Sequence, residues 1–205
     1  MTEVGKSLVF YLKYYPEMTQ LFENHGTLPG IEQVADPKFK KKVRDVGETA
    51  CDEAARLVDQ CTSDLLNRLR STNLVKLKLQ QPRTIAANWG VAIDVWPAGE
   101  KEPDRVTRQL GLHLHREGLI PWVWSRGGLA VEEKIVKCFS NDVDCYDSRK
   151  HPEWDSGSVA LRTISVPWAK AADDFTLDAD GIIEETQSVL ANITPSFIKK
   201  FIAPW

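Results

Sequence analysis

Between Trp89 and Trp124 the chain reads WGVAIDVWPAGEKEPDRVTRQLGLHLHREGLIPWVW, and no other stretch restricts the fold as strongly. Successive side chains of a strand point to opposite faces, so a period of two marks a strand with distinct sides. Trp89, Val91, Ile93 and Val95 fall on one side of the first run, and Gly90, Ala92, Asp94 and Trp96 on the other. Leu110, Leu112 and Leu114 oppose Gly111, His113 and His115 in the second. A third run, Ile120–Trp124, places Trp122 and Trp124 together. The polar PAGEKEPD (97–104) and the Arg116–Glu117–Gly118 turn join them, which predicts an antiparallel meander.

Before it, Val75, Leu77 and Leu79 alternate with Lys76 and Lys78 as a half-exposed strand. After it, Ser158–Val166 reads as one further strand, and 141–157 as an acidic loop. Helices are expected at 3–14, 17–24, about 129–139, about 179–191 and from Pro195 onward. The longest starts at Asp36–Pro37, since aspartate is a good N-cap and proline suits the first helical position. Its apolar residues, Phe39, Val43, Val46, Ala50, Ala54, Leu57, Cys61, Leu65 and Leu69, recur at steps of three or four. That gives one stripe about eight turns long. Gly47 inside it costs about 1 kcal/mol relative to alanine and is a possible bend.

The expected fold is therefore α+β. An N-terminal helical region (1–73) with one long amphipathic helix precedes a mainly antiparallel sheet of four to five strands covered by helices (74–205). The two parts are expected to form one compact unit.

Composition narrows the function classes. With 205 residues the chain can bury a core without staples. A net charge of −3 gives no general attraction to nucleic acid or anionic membranes. The charge is uneven: residues 36–83 hold eleven Lys/Arg against seven Asp/Glu, and residues 136–205 seven against eleven. No apolar run reaches 18 residues, so no membrane span is expected. The Leu8–Leu12 run is too short for a secretory signal. Cys51, Cys61, Cys138 and Cys145 form no C-x-x-C pair and read as reduced thiols of a cytoplasmic protein. No phosphate-binding loop, nucleophile elbow or dinucleotide fingerprint is present, and no cofactor is expected.

Four groups could carry chemistry. Asp94 with His113 and His115 would suit a divalent metal or a general base if the strands bring them together. The bland alternative is the polar side of a half-buried sheet. Lys40, Lys41, Lys42 and Arg44, joined by Lys38, could contact phosphates, or form a solvated helix face near an unfavourable positive helix end. The stretch TLDADGIIEETQ (176–187) partly resembles an EF-hand loop but has Thr176 and Gln187 where carboxylates are needed. A capping role for Asp178 or Asp180 at the last long helix is the expected reading. Glu132 and Lys134 form an E-x-K triplet of the restriction-nuclease type, but on a helix residues two apart do not share a face.

From residue 85 onward the sheet-and-helix order is similar to accessory regions of some prokaryotic defence proteins. The first expectation is a non-enzymatic binding or regulatory protein: an inhibitor, adaptor or assembly subunit, which that similarity places in a prokaryotic or phage defence-related system. Its partner is expected to be another protein, with a homo-oligomer as a variant of that reading. The binding residues are expected on the Asp94, Trp96, His113, His115 face. The alternatives are a metal-dependent hydrolase or nuclease using Asp94, His113 and His115, and a nucleic-acid-binding module using Lys40, Lys41, Lys42 and Arg44.

Overall fold

The computed structural model describes residues 1–14, 37–85, 88–115, 118–139, 145–147, 156–166, 177 and 179–204; side chains at 10–14, 37–51, 83–85, 88, 115, 146 and 147 are outside that description. The expected helix at 17–24 also lies outside it. Helix α1 (Glu3–Tyr14) precedes the long α2 (Pro37–Ser71). The sheet is built from β1 (Val75–Leu79), β2 (Arg83–Ile85), β3 (Asn88–Pro97), β4 (Arg108–His115) and β5 (Gly118–Ser125). It is completed by β6 (Tyr146–Asp147), β7 (Ser158–Ala160) and β8 (Ile164–Ser165). The remaining helices are α3 (Leu129–Val136), α4 (Ala179–Leu190) and α5 (Pro195–Ile202).

Among the described residues one antiparallel sheet of eight strands results, ordered β1-β3-β4-β5-β7-β6, with β2 also on β3 and β8 also on β5. This is the expected α+β class with a larger sheet. The additions are short. β2 and β6 hold three and two residues, and β6 falls in the stretch expected to be loop. The single strand expected at 158–166 is split into β7 and β8.

Pro121 accounts for the split. Trp122 pairs with Ala160 and Leu119 with Ile164, so β7–β8 carries one more residue than the β5 segment opposite. Strand alternation turns the backbone of Pro121 toward β7 and β8, where its carbonyl accepts from the Leu161 N–H at 2.9 Å. Proline has no N–H to return, so the ladder breaks there and an extra residue is accommodated.

The two faces of the sheet differ. Trp89, Val91, Ile93 and Val95, then Leu110, Leu112 and Leu114, form the inner face; all are buried in one continuous apolar cluster. Every described helix contributes to that cluster: Val4 and Leu8 from α1, Leu57, Cys61, Leu65 and Leu69 from α2, Val131 and Ile135 from α3. Ile182 and Val189 of α4 and Phe197 and Phe201 of α5 complete it. The N-terminal helices and the sheet thus share one core.

The α2 stripe is buried as its spacing requires from Ala54 to Leu69, while its members from Phe39 to Ala50 lie outside the described side chains. The Thr194 side chain caps α5 by accepting from the Phe197 N–H at 3.1 Å, with Pro195 at the first helical position. Phe197 stacks on Phe139 at 4.4 Å and on Phe201 at 5.3 Å between ring centroids. No described helix is long and apolar enough to cross a membrane.

Candidate functional site

The outer face takes its layout from the strand register. Lys78, Asp94, Gln109, Trp124 and Ser158 are successive partners across five strands, forming one row. The next row is Ala92, Gly111, Trp122 and Ala160, and beyond it Gly90, His113 and Ile120.

This register separates the expected triad. Asp94 and His113 do share the outer face, but Asp94 pairs with Gln109 while His113 pairs with Gly90. Four residues along a strand amount to about 14 Å. Two ligands of one metal ion, each about 2 Å from it, cannot be so far apart. His115 pairs with Gly118, two residues further from Asp94, and its side chain lies outside the described set. The register therefore sets Asp94 and His113 well apart on the outer face. Among the described residues no group of three or more His, Cys, Asp or Glu is placed to hold a metal ion.

Asp94 is instead a held carboxylate. It is 8% exposed. Gln109 Nε2 donates to its Oδ1 at 2.7 Å, and Gln80 Nε2 donates to its Oδ2. Burial of a charge is tolerated when it is hydrogen-bonded in this way. Neither glutamine stands out in the sequence as an Asp94 partner; both become legible only once the pairing is known.

The connection between β3 and β4 reaches back over this region. Lys76 Nζ donates to the Glu100 carbonyl at 2.8 Å, and Lys78 Nζ to Glu102 Oε1 at 2.7 Å. Hydrogen bonding to Glu102, with the charges of Glu102 and Asp94, holds the Lys78 ammonium above its ordinary pKa. A small cleft of about 170 Å³ lies here, its lining including Asp94, Trp96, Glu102, Asp104 and Val106. Gln80 and Val106 also border an adjoining cleft of about 350 Å³ with Gln81, Ala92 and Gln109. Trp96 is only 7% exposed, and its Nε1 has no hydrogen-bond partner. Arg108 lies at the same end of the sheet, but alternation turns it to the inner side, where Nη2 donates to the Ala203 carbonyl at 2.8 Å. Burial lowers its guanidinium pKa.

Further along the face, the indole of Trp122 lies against Gly111: a Cβ built on that glycine would come within 2.6 Å of Trp122 Cζ2. Trp124 donates from Nε1 to the Ser156 carbonyl at 3.2 Å. Both indoles are half-buried.

The other expected groups are not brought to this face as a reactive set. Glu132 is buried and accepts from the Gly157 N–H, whereas Lys134 is exposed. The helix thus keeps the two apart, as their spacing requires. Asp180, in the first turn of α4, accepts from Arg56 Nη1 at 2.9 Å, while Thr176 and Asp178 lie outside the described residues. The backbone of Lys40, Lys41, Lys42 and Arg44 is helical, within the first turns of α2, but their side chains lie outside the description. Cys61 and Cys138 are free thiols. Burial pushes the Cys61 pKa up to about 12, which makes it a core residue and a poor nucleophile at neutral pH.

No family model, curated protein or solved structure matches this chain.

Proposed function

We propose that this chain is a non-enzymatic binding or regulatory protein that acts through protein–protein contacts on the outer face of its sheet. The observation that carries this reading is the segregation of the two faces. All the described helices feed the inner core, and half-buried Trp122 and Trp124 sit on the opposite side beside a row of polar groups. Tryptophan is enriched where one side chain must offer both apolar area and a polar edge to a partner. Both Asp94 oxygens are already engaged by the Gln80 and Gln109 amides, which supports a positioned polar contact on this face.

Capture from host extract on immobilised chain tests the reading. Wild type is expected to retain a protein in a fixed molar ratio, and Trp124→Ala combined with Lys78→Glu to lose at least nine-tenths of it at an unchanged circular dichroism spectrum. Full retention by that variant would contradict it.

A further inference from the structure

Among the described residues β1 is the outermost strand on its side of the sheet, and it is organised differently from a guarded edge. In the β1–β3 ladder Gln80 N–H donates to the Ala92 carbonyl and Ala98 N–H to the Leu74 carbonyl, both at 2.9 Å. The even-numbered residues of this segment therefore bond inward to β3, and alternation turns the N–H and C=O groups of Val75, Leu77 and Leu79 away from the sheet. β1 ends the strand order, so no described strand meets those groups. Proteins commonly guard such an edge with lysine side chains. Here both lysines lean the other way: Lys76 to the Glu100 carbonyl and Lys78 to Glu102, in the loop that lies toward β3 and β4. Leu79, at the end of the strand, is 41% exposed.

We infer that β1 accepts an added strand from a partner protein, and that this strand is acidic and apolar in alternation. The inference rests on the protein-binding reading above and adds the chemistry of the partner. Main-chain groups of Val75, Leu77 and Leu79 supply the ladder, and side chains on the two faces supply selectivity. The outer face of β1 offers Lys76 and Lys78, the inner face Leu77 and Leu79. A partner strand with carboxylates beside the lysines and apolar groups beside the leucines satisfies both. Lys78 remains half-exposed while paired with Glu102, so a second carboxylate can approach it. A second copy of this chain fits less well. Antiparallel pairing centred on Leu77 would set Lys76 of each copy against Lys78 of the other, and like charges directly opposite are destabilising.

The probe is the capped peptide Ac-Glu-Val-Glu-Val-Glu-Val-NH2, with its lysine counterpart and a version carrying a central proline as controls. Amide exchange of the full chain is followed by NMR. The acidic peptide is expected to slow exchange at Leu77 and Leu79 at least tenfold at saturation, and the two controls to leave it unchanged. Lys76→Glu with Lys78→Glu is expected to weaken the acidic peptide at least tenfold and to strengthen the lysine one. Leu79→Pro, which removes an outward N–H and the leucine side chain but no donor to β3, is expected to weaken the acidic peptide while leaving the β1–β3 ladder intact. Equal binding of acidic and basic peptides, or unchanged exchange at Leu77 and Leu79 under saturating acidic peptide, would overturn the inference. If slowed exchange appears instead at Gln109 and Trp124, the outer face binds and the edge does not; the inference then fails while the protein-binding reading stands.

Discussion

Trp89→Ala is expected to lower the free energy of unfolding by about 3–5 kcal/mol, the range for truncating a large aromatic residue in a packed core. Trp89 is 1% exposed and belongs to the cluster that joins the sheet to the helices. Its Nε1 donates to Ser7 Oγ at 3.2 Å, so the substitution also removes a tie between β3 and α1. Part of the effect is the cavity left behind, which the surrounding structure closes only in part. Urea unfolding measures it as a lower midpoint at unchanged slope. Trp124→Ala, at a half-buried position of the outer face, is expected to cost clearly less. Equal losses from the two substitutions would mean that the faces do not differ as described.

Gly111→Ala is expected to destabilise by about 1–3 kcal/mol, the usual range for an added group in a packed interior. The new Cβ would stand 2.1 Å from the Val91 carbonyl oxygen and 2.6 Å from Trp122. The first neighbour is backbone in the central ladder, so β3 and β4 must separate or the Trp122 indole must lift. Gly99→Ala is a matched control, because nothing lies within 4 Å of its added Cβ. Thermal unfolding of the two variants separates the steric effect from the general consequence of replacing glycine. A Gly111→Ala midpoint equal to that of Gly99→Ala would show that the indole does not lie across the strand.

The faces of the sheet were legible from the sequence because alternation is local. Val91, Ile93 and Val95 had to lie together whatever they packed against, and Leu110, Leu112 and Leu114 likewise. The α2 stripe from Ala54 to Leu69 was legible for the same reason at a period near 3.6. Register was not. The connection from Ala98 to Thr107 is longer than a two-residue turn whose type fixes the pairing, so nothing local says that Asp94 meets Gln109 rather than His113. Whether Asp94 and His113 could meet one ion turned on that one unknown. The grip of Gln80 and Gln109 on Asp94 became visible only through the same register. Pro121 did carry a readable signal: a proline in an interior strand must interrupt one of its two ladders, and the division of 158–166 follows. The two-residue β6 carries too few side chains to show a period at all.

The proposed interface is the outer face, not the start of α2. Amide hydrogen exchange of the chain alone and in complex with the captured protein tests it most directly. Slowed exchange is expected within 75–80, 92–96, 109–115 and 118–124, with residues 37–47 unchanged. Slowed exchange confined to 37–47, with the sheet unaffected, would contradict it and move the function to the basic cluster of Lys40, Lys41, Lys42 and Arg44.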